Sequence, residues 1–183
     1  MAKELEVKVL NIDKERIEER LQSIGATLLK KEHQVNTIFD TEDRRIKKEE
    51  NGYLRIRESK DILKDKTEYI FTLKKNISKD ELRENVEIET KIEDSKSLEE
   101  ILKYLELSIK HRGTKERVSY TYENIRFDID TWDKATYPYP YLEIEVQEKK
   151  DLERAIKLLG LNPDNVTSKS LGQLRMALNL GDI

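Results

Sequence analysis

The chain contains no cysteine. This excludes a disulfide framework and cysteine-ligated zinc, and it suits the reducing cytoplasm, which is the expected location. No apolar run reaches membrane-spanning length, and the charged opening MAKELE lacks the form of a signal peptide, so no association with a membrane is expected. A surplus of one charge is missing too: 35 Lys and Arg face 38 Asp and Glu, a net charge of -3. That balance argues against a nucleic-acid binder held by a basic field. There is no linker, low-complexity stretch or clean repeat, and the 183 residues are expected to form one domain, residues 1–183. His33 and His111 have no partner at ligand spacing and read as ordinary surface residues.

Charge itself is abundant. Charged residues make up 40% of the chain and hydrophobic residues 36%. Many charges sit two residues apart. In the run KELEVKVL, a strand places Glu4, Glu6 and Lys8 on one face and Leu5, Val7 and Val9 on the other. The spacing recurs as Arg55/Arg57, Glu87/Glu89, Lys115/Arg117, Asp128/Asp130 and Glu143/Glu145. A single such pair is what the wet face of an antiparallel sheet carries. The set differs because its signs are sorted by strand. Paired carboxylates suit a divalent metal, and the Arg55/Arg57 pair suits a bidentate phosphate clamp.

Alternating patterns predict strands over 3–10, 27–39, 67–75, 83–91, 108–122, 124–132 and 141–148, with another opening at Gly52. Helices are predicted from Asp13 to Gly25, from a Ser97/Glu100 capping box, from Asp151 to Gly160 and near 170–179. Residues 41–50 read as a short helix or loop whose Lys/Glu run is a solvated face, and 59–66 as an exposed loop. Trp132 and the Tyr137, Tyr139 and Tyr141 cluster are expected to pack rather than to stack on a ligand. The amphipathic helices need an apolar sheet face to cover. If they cover the outside, a closed sheet turns its charged face inward and forms a polar tunnel.

Several segments resemble one family in order. Glu4-x-Glu6-x-Lys8 resembles the ExExK signature of the CYTH family, the triphosphate tunnel metalloenzymes. Phe39-Asp40-Thr41, Leu54-Arg55-Ile56-Arg57, Phe71-Thr72-Leu73-Lys74, the run from Arg83 to Glu89, Lys115-Glu116-Arg117, and Asp130-Thr131-Trp132 with Tyr141-Leu142-Glu143-Ile144-Glu145 resemble its later elements. The resemblance implies an α+β fold: an eight-stranded antiparallel β-barrel with a charged tunnel and helices packed outside.

It also implies roles. Glu4, Glu6, Glu143 and Glu145 would ligate Mg²⁺ or Mn²⁺. Asp130 would join them or would be a structural partner of Arg126 or Arg117. Arg55, Arg57, Lys74, Lys115 and Arg117 would cradle a triphosphate. Lys8 would touch phosphate, or pair with the first carboxylates. Glu87 and Glu89, assigned to catalysis with Lys8, would serve a second metal or its waters. The expected partner is a triphosphate-containing small molecule: inorganic triphosphate, a nucleoside triphosphate or thiamine triphosphate. A homodimer is compatible with the resemblance. The expected activity is metal-dependent triphosphate hydrolysis. The alternatives are a class IV-type adenylyl cyclase and a non-catalytic polyphosphate- or nucleotide-binding module.

Overall fold

A computed structural model describes residues 3–77 and 83–183, with the side chains of Lys3, Glu4 and Arg83 outside that description. Nine strands and five helices are ordered along the described chain as β1 (Lys3–Val9), α1 (Lys14–Ser23), β2 (Thr27–Asp40), α2 (Arg45–Glu50), β3 (Tyr53–Asp61), β4 (Lys66–Asn76), β5 (Arg83–Ile92), α3 (Ser95–Tyr104), β6 (Ser108–Tyr122), β7 (Ile125–Trp132), β8 (Tyr141–Val146), α4 (Lys149–Leu158), β9 (Val166–Thr167) and α5 (Leu171–Ala177). The strands run β5-β4-β3-β2-β6-β7-β8-β1, and β1 also pairs with β5. That pairing closes an eight-stranded antiparallel barrel, with the two-residue β9 attached to β1 beyond it.

Closure follows from the alternation. Most strands turn a polar face inward, and the helices cover much of the apolar outer face. Val7, Val9, Phe127, Ile129, Leu142 and Ile144 point outward from β1, β7 and β8, where Ile17 and Leu21 of α1 and Leu152, Ala155 and Leu159 at α4 cover them. On the opposite flank, Leu98 and Leu102 of α3 pack on Phe39, Leu54 and Ile56. Each fully buried aliphatic side chain contributes about 1.5–3 kcal/mol, so the apolar layer that stabilises this fold lies outside the barrel wall.

Local signals decide the helix ends. Asp13 caps α1 by accepting from the Arg16 amide at 3.0 Å, and Gly25 follows the helix at φ +79°. The cap of α3 is Asp94 rather than Ser97: its carboxylate accepts from the Lys96 and Ser97 amides and from the Ser97 hydroxyl at 2.6 Å. Asp151 does not cap α4 either. It is buried in the first turn, where it accepts from Asn124 and pairs with Arg154. The expected loop at 59–66 is shorter, because β3 continues to Asp61 and β4 starts at Lys66. The added residues keep the alternation: Ser59 and Asp61 are buried inside the barrel while Lys60 is exposed.

Candidate functional site

The barrel encloses a cavity of about 270 Å³ walled by side chains from all eight strands. The antiparallel pairing of β1 with β8 sets Glu6 opposite Glu145 and Lys8 opposite Glu143. One carboxylate oxygen from each of Glu6, Glu143 and Glu145 lies within 4.8 Å of the other two. Lys8 Nζ stands 3.1 Å from Glu143 and 3.8 Å from Glu6. Like charges directly opposite across a ladder destabilise a sheet, and the neighbouring Lys8 offsets part of that repulsion. Burial and the neighbouring Asp128 and Glu143 carboxylates push the Glu145 carboxyl up to about 8. Glu143 goes the other way: burial opposes its ionisation, but Lys8 and Arg117 hold it well below the usual carboxylate range.

Three converging hard oxygen donors fit a Mg²⁺ or Mn²⁺ ion, with Glu145 giving up its proton on binding. The Glu4 side chain, expected beside them, lies outside the described residues. Asp130 is placed neither in this trio nor in the cavity lining, but behind the lining residues Lys115 and Arg117. It is fully buried and accepts from Lys115 at 2.9 Å and from Arg117 through two bonds of 2.7 Å. This matches the structural alternative through Arg117 rather than Arg126, which pairs with Asp128 at 3.1 Å.

The expected basic residues all reach the same chamber, and they divide into two groups. Lys74 is neutralised by Glu6 at 3.0 Å and Glu87 at 2.6 Å, and Arg117 by Asp128, Asp130 and Glu143 at 2.7–3.1 Å. Burial disfavours both charges, yet Tyr53 and the carboxylates around Lys74, and the carboxylates around Arg117, raise both cations above their ordinary values. Lys115 and Arg57 are under-neutralised. Burial and the adjacent Arg117 push Lys115 down to about 8 despite Asp130. Burial and Arg55 push Arg57 down to about 10, and its ion-pair partner is Glu89 at 3.6 Å. The Nε atoms of Arg55 and Arg57 are buried without a hydrogen-bond partner. Surplus buried positive charge of this kind is relieved by a bound anion. Glu87 faces Lys74 in register, and Glu89 accepts from Thr72 at 2.8 Å near both arginines.

The cavity also recruits residues that carried no signal. His111, expected at the surface, is half-buried in the wall. Its Nε2 lies 3.0 Å from Thr136 Oγ1, whose own proton goes to Asp133. Trp132 packs with Tyr137 and Tyr141 as expected, donating to the Tyr141 hydroxyl at 2.9 Å. It also lines the cavity, with Lys115 Nζ 4.9 Å from its ring centre. Asn36 and Ile38 of β2 and Leu171 of α5 also line the cavity. The last helix is held at this end by Arg175, which donates to the carbonyls of Ala135, Thr136, Leu180 and Gly181. Neutral residues at single positions are invisible to a search for charge pairs, and only the even spacing of Asn36 with Ile38 pointed inward.

Known proteins share this fold. Residues 2–170 match the CYTH domain family. A Methanocaldococcus jannaschii protein named "Putative adenylate cyclase" is 29% identical over 94% of this chain and 98% of its own length. The PH1012 protein of Pyrococcus horikoshii superposes with a TM-score of 0.76 at 23% identity, over 92% of this chain and 96% of that one. A Hippeastrum "putative adenylyl cyclase", described as having a dominant triphosphatase activity, superposes with a TM-score of 0.67 at 16% identity, over 100% and 98% of the two chains. With a closed charged barrel and a match over nearly its whole length, this chain belongs to the CYTH domain family.

Proposed function

We propose that the protein is a metal-dependent triphosphatase that hydrolyses a triphosphate inside the barrel. The observation that carries this reading is the division of one chamber into a carboxylate trio within 4.8 Å and a set of under-neutralised cations. A bare anion receptor has no use for the trio, and a bare metal site has no use for the cations.

Glu6, Glu143 and Glu145 would hold the metal, which supplies charge neutralisation and polarisation of phosphoryl oxygens when bound. Arg55, Arg57 and Lys115 would bind the polyphosphate oxygens, while Lys74 and Arg117 stay tied to carboxylates and keep the wall rigid. Lys8, between Glu6 and Glu143, orients the carboxylates and offers a proton donor to phosphate. Glu87, paired with Lys74, and Glu89, beside the two arginines, would orient water. Attack by water on the terminal phosphorus breaks the bridging P–O bond and releases orthophosphate. Most of the rate gain then comes from positioning and electrostatics.

The Hippeastrum relative's described triphosphatase activity supports the same choice. The cyclase reading is favoured by the Methanocaldococcus jannaschii relative's name. It would use the same cations on ATP, with the ribose 3′-hydroxyl attacking the α-phosphorus. Product analysis separates the two. Purified protein with Mg²⁺ or Mn²⁺ is expected to release orthophosphate from inorganic triphosphate and to form little cyclic AMP from ATP. Cyclic AMP with pyrophosphate would replace the triphosphatase by a cyclase, and metal-independent binding without product would leave a binding module.

A further inference from the structure

Asn36 is the most deeply buried polar side chain of the cavity wall that carries no charge. It is 1% exposed, it lines the cavity, and neither its Oδ1 nor its Nδ2 has a hydrogen-bond partner. An amide in this state costs the fold free energy, because both ends have lost water without replacement. Its position supplies a reason. In register, Asn36 stands opposite Arg57 on β3 and Gly113 on β6. Directly opposite residues on one sheet face bring their Cβ atoms to about 5 Å. Arg57 is one of the under-neutralised cations, with its own Nε unpartnered.

We infer that Asn36 is a substrate-contacting residue. Its Nδ2 donates to an oxygen of the polyphosphate held by Arg57, and its neutrality keeps Arg57 available to that anion. A carboxylate here would neutralise Arg57 internally, as Asp130 does for Arg117. A methyl-bearing side chain would leave the phosphate oxygen without a donor. The amide therefore supplies a donor to an oxyanion, and its Oδ1 remains free to accept from a water bound with it. This inference rests on the triphosphatase reading, since it takes the cavity's anion to be a polyphosphate.

The test uses inorganic triphosphate as the probe, with binding by calorimetry and apo thermal unfolding measured on wild type, Asn36→Leu and Asn36→Asp. Loss of a hydrogen bond to a charged group corresponds to about tenfold in affinity. Asn36→Leu is expected to weaken triphosphate binding about tenfold while its apo melting temperature stays equal or rises, since an unsatisfied amide has been removed. Asn36→Asp is expected to weaken binding further. Unchanged affinity in both variants overturns the assignment, as does a fall in apo melting temperature with affinity intact, which would make Asn36 a structural residue. A wild type with no measurable triphosphate affinity overturns the parent reading and takes this inference with it, so the two failures are distinct.

Discussion

Charge at single positions in this barrel does two kinds of work, and burial tells them apart. Asp130 is fully buried and spends both oxygens on Lys115 and Arg117. Removing one partner of a buried ion pair leaves the others charged in a poor solvent and costs about 3–5 kcal/mol. Glu89 lines the cavity but is 38% exposed, and its ion pairs with Arg55 and Arg57 are long, at 3.9 and 3.6 Å. Solvent screening reduces such a pair to less than about 1 kcal/mol. Asp130→Asn should therefore lower unfolding free energy in urea by about 3 kcal/mol, whereas Glu89→Gln should leave it nearly unchanged and act on turnover. Equal losses would mean that Asp130 is not the anchor of the cation cradle. The buried Asp40, in the Phe39-Asp40-Thr41 segment, is a second case of a charge used for structure. Its carboxylate accepts from the Thr41, Ile46 and Lys47 amides and fixes the start of α2.

At the level of elements, much of the site was legible because strands alternate and the alternation is strict. Glu6/Lys8, Arg55/Arg57, Lys115/Arg117 and Glu143/Glu145 could be assigned to one face each from spacing alone, and all of them reach the cavity. Cross-strand partners were not legible, since the register of β1 on β8 depends on turns and bulges far from either strand. The 14- and 15-residue strands β2 and β6, for instance, slip register between Leu28 and Lys30 and between Ile38 and Phe39. The short β9 and the Asp133–Thr136–His111 chain were hidden for the same reason: each is made by tertiary contact.

One backbone requirement does leave a mark in the sequence. Gly52 opens β3 where the Lys74 carbonyl crosses so closely that a Cβ at residue 52 would stand 1.9 Å from it. The clash is with backbone, so no rotamer change relieves it. Gly52→Ala should destabilise the protein by about 1–3 kcal/mol, the range for overpacking, and shift β3 against β4 next to Lys74. Denaturant unfolding measures the first effect. An unchanged midpoint would show that the two strands separate without cost.

For the whole molecule, closure is what concentrates like charge. The ring of strands is completed by β1, held between β8 on one side and β5 on the other, and the carboxylate trio sits on the β1–β8 seam. Its repulsion therefore falls on the β1–β8 ladder, next to the β1–β5 pairing that closes the barrel. In the folded protein the Glu145 carboxyl is raised to about 8, first by burial and then by Asp128 and Glu143, while in the unfolded chain it titrates near the ordinary value of 4.5. The folded state thus holds an extra proton between those values. Stability from this group is complete below about 4.5 and is lost as pH rises through about 8. Apo protein should melt progressively lower across that window, and Glu145→Gln, which cannot ionise, should lack this part of the slope. A metal on the trio requires Glu145 to release its proton, so affinity should increase toward pH 8. At a hundredfold excess over Kd a ligand adds about 2.7 kcal/mol to the folded state. The rise in melting temperature on adding Mg²⁺ should then be larger at pH 8 than at pH 6 in wild type and much reduced in Glu145→Gln. An equal rise at both pH values, or one that Glu145→Gln preserves, would place the cation elsewhere in the barrel and leave the seam held by its own proton.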